Sequence, residues 1–507
     1  MKLYDLLSAL ESFSCTMPRD MPISGITSDS RRVKRGDLFV CIRGLREDGH
    51  AYLHDAVAAG AVAVMTEEGR SGVPDCVVHI TVPDTRSALS RLYHAWYGYP
   101  GDRLRLIAVT GTNGKTSVSF MLKAIWEASL EPCGLIGTVR CDSGGRALRC
   151  STVASSANMT TPDPEDLYRL LAEMVEDGVR TVIMETTSHA LALGKLDALH
   201  FDAAIFTNLT PEHLDFHGDM EHYFAAKAKL FTMCDLAIIN RDDPWAERIA
   251  ANAHGSVRFC SIRSDRADYT AQQIEDRGVD GIAYRLKGKR AEMKINCRIP
   301  GMFSVMNTLQ AASLALERGK PPACIHDAIA SLNGVQGRME RVRVPMEADF
   351  SVFVDYAHTP DALENLLRTA RGFCKNDNRL VILFGCGGDR DKAKRPLMGK
   401  IAAALADFVI VTSDNSRTEE PMEIIEEILV GVREHGKTDY RVICDRREAI
   451  RYALEQARCG DVILLAGKGH ETYEINRTGR HPFDEKEIVA QIAVQLLANR
   501  REKQKND

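Results

Sequence analysis

The sequence predicts an α/β protein built around parallel sheets and divided into several domains. The chain has 507 residues, more than one hydrophobic core normally organises, so several domains are expected. From residue 104 onward, short and almost wholly apolar runs such as LRLIAVT, TVIM and DAAIFT alternate with helical patterns, as parallel strands buried on both faces do. The same alternation resumes after residue 340 with VFVD, RLVILF, DFVIVT and DVILLA.

A cluster of Gly, Thr, Asp or His follows each of these runs at once. The carboxyl ends of parallel strands lie at one edge of a sheet, and ligands bind along that edge in open α/β sheets. We therefore expect these polar clusters to form the functional site.

The composition argues against several other classes of protein. The net charge of −5 is spread over mixed acids and bases, so no basic surface for nucleic acid is predicted. Fourteen cysteines occur without a CxxC pair, and Cys41 and Cys386 lie in apolar runs, so we expect reduced core thiols. No apolar run is long enough to span a membrane, and the start, MKLYDLLSALESF, has the pattern of an amphipathic helix with two acids rather than of a secretion signal. These features predict a cytoplasmic protein.

Two breaks divide the chain into three predicted domains. The turn-rich segment 96–101 separates a small α/β unit from the first repeat of strand, loop and helix. Glycines and charges between residues 334 and 340 end the helical periodicity before the repeat resumes. We therefore predict domains at 1–98, 99–337 and 338–507.

A phosphate-binding loop is predicted directly after the first of these strands, where TGTNGKT precedes the helical SVSFMLKAIWEA. Glycines let backbone N–H groups approach phosphate oxygens, and the helix N-terminus favours negative charge. Val109 stands where the strict pattern has glycine or alanine, so a glycine-rich turn with a solvent-exposed lysine is the competing interpretation. The context of strand, loop and helix favours a nucleotide site, in which Lys115 reaches the terminal phosphates and the Thr116 hydroxyl binds Mg²⁺. The residues assigned to it are Gly111, Thr112, Asn113, Gly114, Lys115, Thr116 and Ser117.

Two further residues at strand ends are candidate ligands for the Mg²⁺ that accompanies a nucleotide. Glu185 follows TVIM, and His213 lies in TPEHLD. Taken alone, each is also compatible with a capping or solvated residue.

Lys227 lies on a predicted buried stripe. It shares one face of the helical pattern HYFAAKAKLF with four large apolar residues, Tyr223, Phe224, Leu230 and Phe231. Either its stem packs while the ammonium group reaches water, or the charge is altered or matched within the site. The helical pattern alone favours neither.

Nine motifs in order make this sequence similar to the Mur ligase family. They are TGTNGKT, TTPDP, ETTSHAL, TNLTPEHLDFHGDMEHYFAAK, GRMERV, DYAHTPDALEN, GCGGDRDKAKRPLMG, DNSRTEEP and GKGHE, and the resemblance extends from about residue 24 to 474. It implies a UDP-binding N-terminal domain, a central phosphate-loop ATPase domain and a Rossmann-like C-terminal domain for an amino acid. It also implies an ATP-dependent amide ligase of peptidoglycan synthesis that works through an acyl phosphate. Such an enzyme adds meso-2,6-diaminopimelate to the D-glutamate γ-carboxylate of UDP-N-acetylmuramoyl-L-alanyl-D-glutamate.

The resemblance also implies roles for particular residues. For the UDP-muramoyl dipeptide it implies Ser28, Ser30, Arg31, Thr160, Thr161, Thr187, Ser188 and Lys195. For ATP it adds Asn307, Arg338, Asp355 and His358, and for diaminopimelate it implies Arg390, Asp414, Asn415, Arg417, Gly467 and Glu471. Lys115, Glu185, His213 and Lys227 are implied in catalysis, with Lys227 carbamylated and thereby an oxygen ligand for a second Mg²⁺. A monomer without nucleic-acid or membrane partners is expected.

The sequence departs from the family pattern at three places. Ser416 replaces the proline of DNPR, Lys195 replaces an arginine, and ETTSH replaces EVSSH. Because Arg417 is retained and lysine-adding relatives lack it, the resemblance favours meso-diaminopimelate over L-lysine. A lysine-adding ligase, a ligase like folylpolyglutamate synthase, a phosphate-loop kinase and a non-catalytic nucleotide-binding protein are the alternatives.

Overall fold

The computed structural model describes residues 1–16, 21–44, 47–68, 72–147, 160–332, 334–344, 349–374 and 378–506. The chain forms two compact units, Met1–Cys260 and Ser261–Asp507. Within the described residues, no helix combines the length and the apolar composition that crossing a membrane requires.

The first unit begins with a small five-stranded sheet in the order β1-β5-β4-β3-β2. Strands β2 to β5 pair in parallel, whereas β1 pairs antiparallel with β5. The elements are α1 (Leu3–Leu7), β1 (Ser14–Cys15), β2 (Ile26–Thr27), β3 (Leu38–Val40), α2 (Leu53–Ala58), β4 (Ala63–Glu67), β5 (Val78–Val82) and α3 (Thr85–Trp96).

The rest of the first unit is built on a parallel sheet, and its strand order is β13-β12-β11-β6-β10-β7, to which β8 and β9 add antiparallel. The central strand β6 is buried from its second residue onward, because helices cover the sheet. The elements are β6 (Arg105–Thr110), α4 (Lys115–Ala128), β7 (Cys133–Ile136), β8 (Cys141–Ser143), β9 (Arg146–Ala147), α5 (Pro164–Glu176), β10 (Thr181–Glu185), α6 (Ser188–Ala192), β11 (Ala203–Phe206), α7 (Leu214–His217), α8 (Met220–Ala228), β12 (Leu236–Asn240), α9 (Ala246–Ala251) and β13 (Ser256–Ser261).

The second unit contains an antiparallel meander of β14, β15 and β16 and a six-stranded sheet in the order β17-β18-β22-β19-β20-β21. All pairs in the larger sheet are parallel except β17 with β18, and β23 and β24 form a hairpin. The elements are β14 (Tyr269–Asp276), β15 (Ile282–Gly288), β16 (Glu292–Cys297), α10 (Phe303–Glu317), α11 (Pro322–Ser331), β17 (Glu340–Val342), β18 (Ser351–Asp355), α12 (Pro360–Phe373), β19 (Leu380–Phe384), α13 (Lys394–Leu405), β20 (Phe408–Val411), α14 (Pro421–Glu434), β21 (Tyr440–Val442), α15 (Arg446–Glu455), β22 (Val462–Ala466), β23 (Tyr473–Asn476), β24 (Gly479–Pro482) and α16 (Glu485–Asn506).

The predicted parallel strands are confirmed, and the polar clusters do follow their carboxyl ends. Cys41 and Cys386 are buried, as expected. The N-terminal helix is shorter than its periodicity indicates, because it ends at Leu7. The chain turns there to bring Ser14 beside Thr81 of β5, and this pairing overrides a local helical preference that is weak over so few residues. The domain boundaries at residues 98 and 337 stay predictions.

A buried hydroxyl joins the two parts of the first unit. Ser90 in α3 donates to the Lys195 carbonyl at 3.0 Å and accepts from the Ala198 N–H at 3.3 Å. Its oxygen also lies 2.7 Å from the Tyr168 hydroxyl of α5. One small side chain therefore satisfies three polar groups of the central part.

We expect Ser90→Ala to lower the free energy of unfolding by about 1–3 kcal/mol, because these three groups lose a buried partner. Tyr168→Phe is the matched control and should cost less, since Ser90 keeps its two backbone partners. Chemical denaturation of both variants measures the difference. Equal losses in the two variants would contradict this role of Ser90.

Candidate active site

The loop after β6 is held open by glycines and by the neighbouring strand. Gly111 has a φ of +147°, and a Cβ placed on it would lie 1.9 Å from Thr207 Oγ1. Gly114 has a φ of +88° and caps α4, whose first residue is Lys115. The Asn113 N–H donates to Asn208 Oδ1 at 2.9 Å. The backbone of this loop is thus fixed at the N-terminus of a helix, as phosphate binding requires.

Two lysines of the site share one carbonyl oxygen. Lys115 Nζ and Lys227 Nζ each donate to the Gly111 oxygen at 2.9 Å, and Lys115 also donates to the Thr112 carbonyl. Lys227 is 1% exposed and lies 4.7 Å above the Tyr223 ring, so its head does not reach water. Burial, and then the nearby charge of Lys115, hold the pKa of Lys227 well below its usual value. Both causes favour the neutral form of this amine beside the loop.

The predicted stripe around Lys227 is confirmed, because its apolar members are buried as well. These are Tyr223, Phe224, Leu230 and Phe231. Tyr223 extends the cluster, since its hydroxyl lies 3.1 Å from Thr112 Oγ1 of the loop.

Glu185 ends β10 next to the loop as a fully buried carboxylate. Its Oε2 accepts from the Thr116 hydroxyl at 2.9 Å and from the Thr138 hydroxyl at 3.0 Å, and its Oε1 accepts from the Thr138 N–H at 3.1 Å. Burial raises the pKa of Glu185, although Lys115 opposes the shift. A Cβ on Gly137 would lie 2.2 Å from Oε1, so only glycine leaves room for this carboxylate.

Thr138 was missed by the sequence reasoning, although a signal was available. It follows β7, another parallel strand of the same sheet, and so falls on the same edge as the predicted residues.

His213 lies beside this cluster in an unusual backbone conformation, with a φ of +57° at the start of α7. Its ring centroid is 6.4 Å from that of Tyr223 and 4.8 Å from that of His189. Burial, His213 and His217 together lower the pKa of His189 to about 4. Left-handed conformations of non-glycine residues are costly and concentrate at functional sites.

The hydroxyl residues assigned to the dipeptide surround Glu185. Thr160 Oγ1 lies 2.9 Å from Thr138 Oγ1, and Thr161 Oγ1 donates to the Glu185 carbonyl at 2.9 Å. Thr187 donates its N–H to Thr161 Oγ1, and the Ser188 hydroxyl contacts His217 at 2.9 Å. Thr161 therefore contacts Glu185 directly, whereas Thr160 and Thr187 reach it through Thr138 and Thr161.

The remaining residues assigned to the dipeptide lie elsewhere. The Lys195 ammonium group pairs with Asp163 of the TTPDP segment at 2.7 Å. Ser28 is exposed, while Ser30 and the exposed Arg31 begin a short 3₁₀ turn that Asp29 caps. Ser117, assigned to ATP, lies half-buried in the first turn of α4.

The second unit holds the other assigned ATP residues. Asn307 is buried in α10, and Asp355 ends β18, where its carboxylate accepts from the N–H groups of Met339 and Ala357. The Arg338 guanidinium lies 5.3 Å from the ring centroid of Tyr356, and the His358 ring packs at 4.6 Å from the same ring. Tyr356, which sequence reasoning missed, thus brings Arg338 and His358 together.

The residues assigned to the amino acid gather on the loops after β19, β20 and β22. Arg417, with a φ of +52°, donates Nη1 to the Gly388 carbonyl at 2.7 Å. The Asn415 amide donates to Glu471 at 2.8 Å. The exposed Arg390 donates only to the adjacent Asp389 carbonyl among the hydrogen bonds of the described chain, so it is the least fixed of the set.

Two carboxylates of these loops have pKa values that are shifted in opposite directions. Burial alone would raise the pKa of Asp414, but Lys468 and Arg446 bring it below the usual value. Burial raises the pKa of Glu471, and a hydrogen bond from Asn415 only partly offsets it. Groups whose environments separate their pKa values in this way are typical of functional sites.

Buried ion pairs support these loops, and sequence reasoning did not find them. Arg395 is fully buried and pairs with Glu419 at 2.9 Å and Glu427 at 2.8 Å. Arg446 pairs with Glu485 at 2.9 Å. Sequence periodicity gives no sign that such arginines lie inside, because an arginine in a helical pattern usually faces solvent.

Comparison with known proteins gives matches along most of the chain. Three family models match: Mur ligase family, catalytic domain, over residues 22–97; Mur ligase middle domain over 109–315; and Mur ligase, glutamate ligase domain, over 337–469.

Individual relatives match over nearly their whole length. The chain is 44% identical over 497 residues to UDP-N-acetylmuramoyl-L-alanyl-D-glutamate--2,6-diaminopimelate ligase of Syntrophomonas wolfei, covering 97% of this chain and 99% of that protein. It is 43% identical over 493 residues to the protein of that name from Caldanaerobacter subterraneus, covering 97% and 99%. A solved structure of the same name has a TM-score of 0.65 at 32% identity and covers 94% of this chain and 96% of its own.

We expect Glu185→Gln to stabilise the protein by on the order of 1 kcal/mol at pH 8. The glutamine oxygen can accept the Thr138 N–H while its amide donates to the two threonine hydroxyls, so only the buried charge is removed. Because the folded-state pKa of Glu185 is raised, its ionisation costs stability as pH rises above the unfolded value of 4.5. The gain, measured by thermal unfolding, should therefore grow from pH 5 to pH 8. A pH-independent loss of stability would show that the carboxylate is matched by its surroundings.

Proposed function

The chain belongs to the Mur ligase family, and from this premise we propose that it is an ATP-dependent, ADP-forming amide ligase of peptidoglycan synthesis. It adds meso-2,6-diaminopimelate to the D-glutamate γ-carboxylate of UDP-N-acetylmuramoyl-L-alanyl-D-glutamate. The full-length similarity to ligases with that printed name supports the reaction. The observation that carries the chemistry is the meeting of Lys115, Thr116, Glu185 and Lys227 at the phosphate loop.

The reaction needs ATP because a carboxylate is a poor electrophile and hydroxide a poor leaving group. A carboxylate oxygen of the substrate attacks the γ-phosphorus, the bond to the β-phosphate oxygen breaks, and ADP leaves. The amine of the amino acid then attacks the acyl carbon, loses a proton and expels phosphate. Both steps depend on positioning and on neutralising charge.

Lys115 and the loop N–H groups supply this neutralisation for ATP. The ammonium group is now held by two loop carbonyls, at Gly111 and Thr112, within reach of any phosphate that enters the loop. Thr160, Thr161 and Thr187 lie beside Glu185, where their hydroxyls hold the dipeptide carboxylate near the γ-phosphate.

The residues at this position fit Mg²⁺. The Glu185 carboxylate and the Thr116 hydroxyl are hard oxygen donors 2.9 Å apart, and Mg²⁺ binds through one or two carboxylates together with phosphates and water. When bound, Mg²⁺ neutralises phosphate charge. Glu185, Thr116 and His213 would hold it, with an oxygen from a modified Lys227 for a second ion.

Lys227 is suited to carbamylation because burial and the nearby Lys115 favour its neutral amine. The nitrogen lone pair attacks the carbon of CO₂, an N–C bond forms, and one proton passes to water, which leaves a carbamate with one negative charge. The modification gives Lys227 a negative charge, so the modified residue and Lys115 attract each other at the Gly111 carbonyl.

The pocket in the second unit suits a diamino acid with two carboxylates. The Arg417 guanidinium can bind a distal carboxylate in a bidentate fork, and Glu471 suits an ammonium group. L-lysine has no distal carboxylate and would leave Arg417 unmatched. We place the reaction in the cytoplasm, because it consumes ATP and a UDP-linked precursor, and we expect a monomer.

The assay that tests this function measures phosphate release with ATP, the UDP-muramoyl dipeptide and either meso-diaminopimelate or L-lysine. Release should require all three substrates, with kcat/KM for meso-diaminopimelate roughly 10- to 150-fold above that for L-lysine, since a charged bidentate contact is worth about 1.5–3 kcal/mol. A preference for L-lysine would assign the chain to the lysine-adding ligases. Release with ATP alone, or none at all, would overturn the proposal.

Arg417→Lys should raise KM for meso-diaminopimelate by roughly 10- to 100-fold, because an ammonium group cannot form the fork. KM for ATP should stay unchanged. Arg433→Lys is the matched control, since Arg433 is exposed on α14 and pairs only with Glu426 among the ion pairs of the described residues. Equal changes in KM for meso-diaminopimelate in the two variants would show that Arg417 does not bind the amino acid.

Incubation with ¹³C-bicarbonate should give the wild-type protein a carbamate resonance in its ¹³C spectrum. Lys227→Met should abolish the resonance and lower kcat by roughly 100-fold or more. The resonance should weaken as pH falls, because protonation of the amine removes the attacking lone pair. Lys229→Met, a change to the nearby lysine that pairs with Asp197, should keep it. A resonance that survives in Lys227→Met belongs to another amine and contradicts this assignment.

A further inference from the structure

Lys468 is a lysine of the second unit whose side chain has no exposure at all. It follows β22, one residue after Gly467, and a charge in that position is costly unless it is matched. Its Nζ donates to Asn415 Oδ1 and to the Tyr473 carbonyl, both at 3.0 Å, and lies 3.6 Å from Asp414 Oδ1. Because no part of the side chain is exposed, Lys468 does not touch a ligand that enters from solvent.

The partners of Lys468 fix the direction of the Asn415 amide. Asn415 Oδ1 accepts from Lys468 and from the Ile475 N–H at 2.9 Å, and neither donor can accept a hydrogen bond. The amide nitrogen must therefore point the other way, where it donates to Glu471 Oε2 at 2.8 Å. A flipped amide would turn its N–H groups toward two other donors.

The same ammonium group balances the charge behind the pocket. The Asp414 carboxylate is turned inward, since Oδ1 accepts from the Asn415 N–H at 2.6 Å and Oδ2 faces the Gly467 backbone. A Cβ on Gly467 would lie 2.4 Å from Oδ2. Asp414 is therefore matched by Lys468 within the protein, and Glu471 is the carboxylate left for a ligand.

From these contacts we propose that Lys468 is a positioning residue for the incoming amino acid, which acts through Asn415 to hold the Glu471 carboxylate ready for the ammonium group of the substrate. The inference rests on the proposed function, because it takes the pocket to be the amino-acid site. It assigns the buried lysine to binding of the amine and to neither of the other substrates.

A purely structural role predicts something different. Removing one partner of a buried ion pair leaves the other charge unmatched and destabilises a protein. A lysine kept only to match Asp414 would therefore affect stability when replaced by methionine, without a selective effect on one substrate. The positioning role instead predicts that KM changes for the amino acid and not for ATP or the dipeptide.

The experiment compares Lys468→Met with wild type in the three-substrate assay. KM for meso-diaminopimelate should rise at least tenfold, while KM for ATP and for the dipeptide should change less than twofold. Lys468→Arg, which keeps a cation and N–H donors, should recover most of the loss. Unchanged KM values, or an equal rise in all three, would overturn the proposal, whereas an inactive wild type would instead overturn the proposed function.

A double-mutant cycle tests the route through Glu471. In a Glu471→Gln background, Lys468→Met should raise KM for the amino acid less than twofold further, because the group that Lys468 positions is already neutral. Multiplicative effects would mean that Lys468 acts by another route and would overturn the proposal.

The pH dependence of kcat/KM is a further test, because a loss of packing alone would not shift it. Without the oriented amide, the Glu471 carboxylate loses a donor, so the acidic limb of kcat/KM should shift to higher pH in Lys468→Met. An unmoved limb would count against the proposal. The charged and titratable groups that face Glu471 are Asp414, Lys468, Arg417, Tyr356 and Tyr473.

Asn415→Asp tests the same proposal if the Lys468→Met protein does not fold. It leaves Lys468 paired with carboxylates but removes the donor to Glu471, so KM for meso-diaminopimelate should rise and the acidic limb should shift in the same direction. A wild-type KM in this variant would overturn the proposal.

Discussion

The carbonyl oxygen of Gly111, which accepts from two lysines, is the constraint on which the first unit depends. Gly111 can occupy this position only because it has no side chain, since Thr207 fills the space beside it. Burial and the nearby charge of Lys115 hold the pKa of the more deeply buried Lys227 well below its usual value. An amine whose neutral form is favoured thus lies beside a second lysine, with Glu185 on the adjacent strand. Phosphate binding alone requires neither the buried amine of Lys227 nor the buried carboxylate of Glu185.

The second unit uses buried charge in a different way. Arg446 donates to the carbonyls of Ser413 and Ala466, which precede the loops that carry Asp414 and Lys468. Arg446 is itself paired with Glu485, so its charge is matched within the protein. Arg446, the first residue of α15, thereby connects both loops to that helix.

Strained backbone occurs among the candidate functional residues of each unit. His213 in the first unit and Asp389 and Arg417 in the second adopt left-handed conformations, each of which costs about 1–3 kcal/mol for a residue other than glycine. The surrounding contacts hold them there, as the Thr418 hydroxyl does when it donates to Asp389 at 2.6 Å. The contacts that stabilise each unit therefore also offset the cost of holding these residues in left-handed conformations.

The sequence by itself determined the α/β class, the order of the parallel strands along the chain and the sheet edge that carries the polar clusters. Apolar runs and glycine-rich turns are local signals that can be read from the sequence. Because parallel strands all end at one edge of the sheet, the residues that follow the runs must lie along that edge. Local periodicity failed at the N-terminus, where pairing of β1 with β5 ends the helix at Leu7. Only the tertiary structure decided the direction in which the pKa of Lys227 shifts, the contact of Thr138 with Glu185 and the burial of Arg395, Arg446 and Lys468. A protonation state depends on desolvation and on charges brought close from distant parts of the chain, and no local pattern records either.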